Sequence, residues 1–204
     1  MEKKENQRIM LTKRLLQTAF LKLLKVKPIH AISIRELCVE AGINRTTFYY
    51  HYGSQYDLLE DISQRFLDSI ALCLKDMDGN SKEGTQERVT LVLRYIEENL
   101  ELSALLINNS IDPTFAERLF SLQQITDLLH LALADYTDEQ ERRAVVAFAI
   151  HGSYKLLCDW INDPQRISPE LQTERILRLA RRVCGDSIIS ITERNAHREL
   201  AGKK

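Results

Sequence analysis

Residues 33–59 read SIRELCVEAGINRTTFYYHYGSQYDLL and predict two short helices joined by a tight turn and followed at once by a third. Ser33 is placed to cap the first helix, and Glu36, three residues on, can reach back to the N–H of the cap in a capping box. Gly42 supplies the left-handed conformation that commonly ends a helix. The stretch therefore predicts a helix-turn-helix, the motif that places its second helix in the major groove of DNA.

The second helix of this stretch is too short to be stable alone, because isolated helices below about 12 residues are marginal in water. We expect Asn44 to cap it, and Phe48 and Tyr52, four residues apart, to anchor it by pointing inward. An alternative is that Tyr49, Tyr50 and Tyr52 are all core aromatics. We accept this for Tyr52, but Tyr50 points away from the inward side of the helix and is therefore not expected in the core. The outward side chains carry groups that meet phosphates and base edges: Arg45, Thr46, Thr47, Tyr49, Tyr50 and His51.

Residues from about Arg8 to Leu59 resemble the DNA-binding domain of the TetR family of bacterial transcriptional regulators. The most diagnostic part is Ala41–Leu59, where a Phe-Tyr-x-His-aromatic run precedes Asp-Leu-Leu; a generic helix-turn-helix lacks both. The resemblance implies that Ser33 and Tyr49 bind phosphates and that His51 binds the DNA backbone. It also implies that bases are approached or read by Arg35, Arg45, Thr47 and Tyr50. The predicted DNA-binding set is completed by Asn44, Thr46 and Gln55.

One departure from the family pattern follows the second helix. Family members usually carry a phosphate-binding lysine where this chain has Gln55, and a basic residue is common where it has Gly53. Each phosphate contact contributes roughly 0.9 to the slope of log affinity against log salt concentration. We therefore expect a shallower salt dependence of DNA binding than a lysine at position 55 would give.

The charge of the chain is divided unevenly along its length. Residues 1–55 hold ten Lys or Arg against four Asp or Glu, a net charge of +6, whereas the remainder holds 18 against 25, a net charge of −7. Only a segment that displaces counterions from DNA needs such a positive excess. A chance fluctuation is the alternative, but the excess coincides with the motif.

The sequence gives no sign of a metal site, a disulfide framework or an enzyme. Its four cysteines lie far apart, without a Cys-x-x-Cys or a nearby histidine pair. It contains no Gly-rich phosphate loop, no Gly-x-Ser-x-Gly and no His-Glu-x-x-His. No window approaches the roughly 18 apolar residues of a membrane span. We therefore expect a cytoplasmic protein without catalytic activity, metal or cofactor.

The pattern of the whole chain predicts an all-α fold. No segment alternates like a strand, and the four prolines fall at predicted helix boundaries. We expect about nine helices, arranged as a three-helix DNA-binding domain over residues 1–54 and a helical regulatory and dimerisation domain over residues 55–204. The first helix, residues 8–26, is expected to turn inward Leu11, Leu15, Ala19, Phe20, Leu23 and Leu24.

Helix boundaries in the C-terminal half are marked by caps and prolines. Asp112-Pro113 predicts the start of a helix that reaches residue 134. Thr137 with Gln140 is a candidate capping box for a long helix to residue 160. Ser168-Pro169 opens the last helix, and residues 194–204 are expected to form a frayed tail.

Broad apolar stripes mark the last two long helices. Palindromic operators require two reading heads about one turn of DNA apart, ~34 Å, so a second copy of the chain is expected. In the TetR family these helices form a four-helix dimer bundle, and the resemblance assigns that role to Val145, Gly152, Ile176, Ala180 and Val183. Internal core is the alternative for about half of the stripe. Gly152 costs about 1 kcal/mol inside a helix; close approach of another helix is one explanation and local bending is the other.

The C-terminal half also resembles a regulatory domain found with TetR-type heads in Gram-positive bacteria, through the NNSIDPTF run at residues 108–115, residues 152–160 and Ser168-Pro-Glu. The resemblance implies regulation without a common ligand. Candidates for a ligand pocket are Tyr95, Asn108, Phe115, Phe148, His151 and Tyr154. His151 and Tyr154, three residues apart, would place a donor and an acceptor inside the bundle. A satisfied core or interface pair is the alternative.

Two functions of different classes follow. The first is a homodimeric, sequence-specific regulator of transcription, a repressor that binds a palindromic double-stranded DNA operator and is released by a small-molecule effector. The second is an activator or adaptor controlled by a regulatory partner protein, with which the acidic balance outside the head is compatible.

Overall fold

The computed structural model describes residues 2–75, 82–108, 111–125 and 138–184. Within these ranges the ordered elements are helical and no strand occurs, which confirms the predicted all-α class. Contacts divide the chain into two compact units. The first comprises residues 1–66 and 110–113, and the second comprises residues 67–109 and 114–204.

The first unit is built from four α-helices and a short 3₁₀ turn. They are α1 (Glu2–Leu24), the 3₁₀ turn (Ile29–Ala31), α2 (Ile34–Ala41), α3 (Arg45–His51) and the first part of α4 (Gln55–Cys73). Its core is made of fully buried apolar side chains, the largest being Leu16, Phe20, Ile32, Leu37, Phe48, Leu58, Ile62 and Phe66. The division between the units falls inside α4, and the boundary after residue 54 stays a prediction.

The inward face of α1 differs from the predicted one. Leu16 is fully buried and Ala19 and Phe20 follow it on the same side, whereas Leu11 and Leu15 are exposed. Neighbouring residues on an α-helix point about 100° apart, so a stripe that passes through residue 16 leaves residues 11 and 15 at its edge. Both leucines fit a helical spacing with Ala19, which is why the pattern alone placed them on the inward face together with the correctly predicted Ala19 and Phe20.

The second unit continues with α5 (Lys82–Glu98), α6 (Leu100–Ile107), α7 (Phe115–Phe120), α8 (Glu139–Asn162) and α9 (Pro169–Cys184). Polar contacts join α9 to its neighbours. The buried hydroxyl of Thr90 on α5 donates to that of Thr173 at 3.1 Å. The side-chain amide of Gln172 donates to the carbonyl of Leu156 on α8 at 3.0 Å. These bonds satisfy polar groups that burial would otherwise penalise.

Two predicted boundaries in this unit need correction. The helix expected over residues 113–134 ends at Phe120, and residues 126–134 of that prediction lie outside the described ranges. The cap of α8 is Asp138, whose carboxylate accepts from the backbone N–H groups of Gln140 and Glu141 at 2.7 and 3.2 Å. Aspartate satisfies two of the otherwise unpaired N–H groups, which explains the start one residue after the predicted one. The expected tail at 194–204 also lies outside the described ranges.

Contrary to the expectation from sequence, α8 is long and apolar enough to cross a membrane when length and composition alone are considered. A core helix of a soluble protein passes the same test. One side of α8 packs inside the second unit, where Leu157, Trp160 and Ile161 are buried. The indole N–H of Trp160 donates to the carbonyl of Ile167 at 2.7 Å. The apolar character of α8 therefore comes from a packed side together with a second, exposed apolar side.

Candidate nucleic-acid interface

The first helix of the motif begins with the predicted capping box. The hydroxyl of Ser33 accepts from the backbone N–H of Glu36 at 3.3 Å, and the Glu36 carboxylate accepts from the Ser33 N–H at 3.0 Å. Hydrogen bonds from Lys27 and then from Ser33 lower the pKa of Glu36 to about 2. Gly42 ends α2 with a φ of +66°, in the left-handed region that favours glycine. The start of α2 and the turn that leads into α3 are therefore determined by residues close to them in sequence.

Three groups define α3. The side-chain oxygen of Asn44 accepts from the N–H of Thr47 at 2.7 Å and caps the helix. Phe48 is fully buried. Tyr52, also buried, has extended backbone angles and ends the helix, its N–H still donating to the carbonyl of Phe48 at 2.9 Å. The rings of Phe48 and Tyr52 lie 5.8 Å apart. The inward side of α3 is thus the predicted aromatic pair.

The opposite side of α3 is open to solvent. Tyr50 is 74% exposed and Tyr49 is 51% exposed, although both are large aromatics. The guanidinium of Arg45 lies 6.0 Å from the centre of the Tyr49 ring, and the rings of Tyr50 and His51 meet edge to face at 4.9 Å. Of the predicted DNA-binding set, Thr47, His51 and Gln55 are half-buried and the others are exposed: Ser33, Arg35, Asn44, Arg45, Thr46, Tyr49 and Tyr50.

A second cap lies directly after α3. The hydroxyl of Ser54 accepts from the N–H of Asp57 at 3.2 Å, and the Asp57 carboxylate accepts from the N–H of Gly53 at 2.9 Å. The hydrogen bond from Ser54, and then that from Gly53, lowers the pKa of Asp57. This box starts α4 at Gln55, so α3 and α4 are separated by only three residues.

Two residues outside this motif contact it and were not predicted from the sequence. Asp61 on α4 accepts a hydrogen bond from the Tyr52 hydroxyl, and Lys13 on α1 binds the same carboxylate. Separations of 9 and 48 residues leave no periodic signal in a sequence. A signal of another kind exists, because a buried tyrosine hydroxyl needs a partner and a nearby carboxylate is a strong acceptor.

The second unit contains a partly open cavity of about 130 Å³. Apolar side chains from several helices line it, and none of its lining side chains among the described residues is charged. Examples are Ile70, Leu93, Ile96, Leu119, Leu157 and Ile176. Tyr154 lines the cavity and stands edge to face with Phe120 at 5.7 Å, while its hydroxyl donates to the carbonyl of Ile107. Burial above all raises the pKa of Tyr154 to about 12.

The other predicted pocket residues do not join Tyr154 at the cavity. Phe115 is fully buried elsewhere in the unit, and Tyr95 is half-buried. Asn108 at the end of α6 exchanges two amide hydrogen bonds with Asn162, at 3.1 and 3.0 Å. Tyr95, Asn108 and Phe115 thus do not line this cavity, and their part in ligand binding stays a prediction.

The predicted placement of His151 and Phe148 inside the bundle is corrected by the structure. Phe148 is 68% exposed, and His151 is exposed with its Nδ1 2.8 Å from the carbonyl of Ala147. Tyr154 lies three residues beyond His151, but the buried side of α8 passes through Ala149 and Leu157 and leaves the histidine out. The expected pair of donor and acceptor is therefore not formed.

The predicted dimer residues differ in their surroundings within one chain. Val145 and Val183 pack against a small cluster made by the buried Ala149 and Cys184, so they join α8 to α9 within one chain. Ile176 lines the cavity. Ala180 is half-buried and Gly152 is exposed. A Cβ built on Gly152 would meet no atom within 4 Å. No atom of the described residues therefore requires a glycine there.

Among the described residues, no cluster of three or more His, Cys, Asp or Glu side chains is placed to hold a metal ion. None of the four cysteines forms a disulfide bond. Cys38 and Cys184 are buried, and burial raises the pKa of both thiols.

These elements define the class of the protein. A capped α2, a left-handed turn at Gly42 and a short α3 with an open polar side form the helix-turn-helix of a DNA-binding transcriptional regulator. Residues 16–62 match the family model described as bacterial regulatory proteins of the tetR family. Residues 83–182 match a second model, described as a transcriptional regulator C-terminal region. The chain belongs to the TetR family of bacterial transcriptional regulators.

Two curated relatives are similar in sequence. The HTH-type transcriptional regulator YxbF of Bacillus subtilis (strain 168) is 21% identical over 165 residues, which are 79% of this chain and 42% of that protein. The HTH-type dhaKLM operon transcriptional activator DhaS of Lactococcus lactis subsp. lactis (strain IL1403) is 32% identical over 89 residues, 44% of this chain and 45% of that protein. The matches thus span less than half the length of each relative.

Solved structures show the same fold. A TetR transcriptional regulator from Streptococcus agalactiae 2603V has a TM-score of 0.63 at 22% identity, covering 88% of this chain and 99% of that one. The dihydroxyacetone kinase operon activator DhaS has a TM-score of 0.55 at 22% identity, covering 84% and 94%.

Proposed function

We propose that this chain is a homodimeric repressor that binds a palindromic DNA operator through α3 and is released by a small apolar effector. The observation that carries the proposal is the exposed side of α3, where Tyr50 and Tyr49 stand in solvent beside Arg45. Adjacent exposed aromatics form an apolar patch, and such a patch on a monomer surface often marks a binding site. Here they accompany a cation and two threonine hydroxyls, which suit base edges and phosphates.

A binding selection tests the DNA-reading part of this proposal. Full-length protein is used to select duplexes from a randomised pool, and the selected sequence is compared with a scrambled duplex and with the DNA next to its own gene. We expect a palindrome, and we expect Tyr50→Ala and Arg45→Ala each to lose about 1 to 3 kcal/mol of discrimination. Val39→Ala, an equally exposed change on α2, is the control. Unchanged discrimination in both α3 variants would contradict the assignment of the recognition helix.

Dimerisation is supported by the exposed side of α8. Phe148 is a large apolar side chain in solvent, and one turn away Gly152 leaves open space. A helix of a second copy can approach a glycine closely, which offsets its cost of about 1 kcal/mol. A palindrome requires two copies of α3, and α8 with α9 offers a self-complementary face for a two-fold axis.

The cavity of the second unit supports a small-molecule effector and limits its chemistry. A charged group placed among its lining side chains would lose its hydration without gaining a partner, which costs far more than an apolar contact returns. An apolar cavity of about 150 Å³ binds benzene, so about 130 Å³ suits a single ring. Tyr154 offers a hydroxyl at one side, already bonded to Ile107. The effector we propose is uncharged, apolar and of about this size. A larger effector would extend out of the cavity through its open side.

Toluene, benzoate and benzylammonium test this restriction because they share one ring and differ in charge. We expect toluene alone to bind, as seen by saturation-transfer NMR, and to weaken operator binding by about five- to 150-fold, the range for couplings of about 1 to 3 kcal/mol. Val92→Phe, which fills the cavity, should abolish toluene binding, whereas the exposed Val26→Phe should not. Equal binding of all three molecules, or toluene binding that survives Val92→Phe, would contradict the proposed cavity ligand.

The half-buried His51 gives a pH dependence with a definite sign. Burial, and then the charge of Lys13, lowers the pKa of His51 in the protein without DNA. A phosphate beside the ring favours the charged form, so DNA binding takes up a proton. We expect operator affinity to rise about three- to tenfold as the pH falls from 7.5 to 6, and His51→Gln to remove this rise. An unchanged pH profile in His51→Gln would show that another group is responsible.

A second candidate function is an activator controlled by a partner protein. The Lactococcus lactis relative is named as an activator of the dhaKLM operon, and the similarity to it covers 44% of this chain. Native mass spectrometry of freshly purified protein separates the two candidates. A retained small molecule in a dimer favours the repressor, and a stoichiometric second protein favours the activator.

A further inference from the structure

The carboxylate of Asp61 joins three segments of the first unit. Lys13 of α1 donates to Oδ1 at 2.9 Å. The hydroxyl of Tyr52, the residue that ends α3, donates to Oδ2 at 2.7 Å. Arg65, one turn further along α4, places Nε 3.1 Å from the same Oδ2. One side chain therefore binds α1, α4 and the end of the recognition helix together.

The side chains of Asp61 and its partners are partly shielded from solvent, which strengthens the bonds between them. The Asp61 side chain is 24% exposed and that of Lys13 is 25% exposed. Burial by itself acts to raise the pKa of Asp61, but hydrogen bonds from Tyr52 and Lys13 outweigh it and the pKa is lowered. Burial, and then the bond to Asp61, raises the pKa of Tyr52, so its hydroxyl stays a donor. Hydrogen bonds to an ionised acceptor are about twice as strong as neutral ones.

Helix α3 needs such a contact because it has only seven residues. The buried rings of Phe48 and Tyr52 fix how deeply the helix sits, but apolar packing is not directional and does not by itself fix the angle of the helix. Tyr52 lies four residues further on, where its hydroxyl reaches Asp61 on α4. Two anchors one turn apart fix an angle as well as a depth. Readout of bases tolerates errors of only about 0.5 Å and 10–20° in the groups that make it.

We infer that Asp61 is a positioning residue for sequence readout: it sets the angle of α3 by holding Tyr52, with Lys13 and Arg65 holding the carboxylate in place. Asp61 itself makes no contact with DNA in this role. Attraction between cationic side chains and phosphates is electrostatic and only weakly directional, so it tolerates a tilt of the helix better than bidentate contacts to base edges do. Loss of Asp61 therefore lowers the discrimination between sequences more than it lowers the affinity for DNA in general.

Asp61→Asn in the full-length protein tests this inference. The probes are a duplex selected from a randomised pool by the wild-type protein and its scrambled counterpart, used at a temperature at which circular dichroism shows every variant folded. We expect the ratio of the two affinities to fall at least about tenfold, while affinity for the scrambled duplex changes less than about threefold. The control is Glu40→Gln, the same carboxylate-to-amide change in an ion pair between α1 and α2, with Lys22 at 2.5 Å and no bond to α3.

A double-mutant cycle with Tyr52→Phe identifies the route of the effect. If Asp61 acts through the Tyr52 hydroxyl, the double variant loses about as much discrimination as the more affected single variant, and the losses do not multiply. Hydrogen exchange of the backbone N–H groups of α3 should quicken in both single variants and stay unchanged in Glu40→Gln. An unchanged ratio in Asp61→Asn, an equal loss in Glu40→Gln, or multiplied losses in the cycle would each overturn the inference.

Discussion

Phe48→Ala is expected to destabilise the first unit by about 3 to 5 kcal/mol and to abolish operator binding. The Phe48 side chain is fully buried, and its ring packs beside those of Tyr49 and Tyr52. Truncation leaves a cavity under a helix of seven residues, which cannot persist without a tertiary anchor. Denaturant titrations followed by far-ultraviolet circular dichroism, together with a DNA mobility shift, measure the two losses.

Tyr49→Ala is the matched control for this change. The residue is the neighbouring aromatic on the same helix, but it is half exposed, so its truncation leaves no comparable cavity. We expect a loss of stability below about 1 kcal/mol. DNA binding should weaken because the predicted phosphate contact of Tyr49 is lost. Equal destabilisation by the two variants would show that burial of Phe48 does not hold α3 in place.

The local features of the DNA-binding unit were predictable because they depend on neighbours in the chain. The capping box of Ser33 and Glu36 and the cap at Asn44 need side chains three residues away, and a positive φ at Gly42 needs only the absence of a Cβ. The direction of Phe48 follows from helical spacing. Such features depend only on residues that are close in sequence, so they can be predicted without knowing how distant segments pack.

Features that depend on distant segments were predicted less well. Leu11 and Leu15 of α1 were wrongly predicted to point inward, because the leucines at 11, 15 and 16 fit overlapping apolar stripes and only packing selects residue 16. Asp61 went unnoticed because its partner Tyr52 lies on another helix. The exposure of Phe148 is a third kind of failure. A sequence pattern reports that a side chain is apolar, but it does not report whether the surface that covers it belongs to the same chain.

Phe148→Asp is expected to weaken DNA binding strongly by preventing assembly of the dimer. In one chain Phe148 is exposed, so a carboxylate there is solvated and the stability of the folded monomer should change by less than about 0.5 kcal/mol. In the proposed dimer the same carboxylate is buried against a second α8 without a partner, which is strongly unfavourable. We expect sedimentation to give monomers at concentrations at which the wild-type protein is dimeric.

Loss of the dimer should weaken operator binding by about 10²- to 10⁴-fold, because the second half-site is then no longer engaged at the high effective concentration that linkage provides. Leu72→Asp is the control, since Leu72 is as exposed as Phe148 but lies on α4. It should leave both the assembly and the affinity within about twofold of wild type. A dimeric Phe148→Asp protein that still binds the palindrome would place the dimer interface elsewhere. Monomers that bind the palindrome with unchanged affinity would refute the need for two linked reading heads.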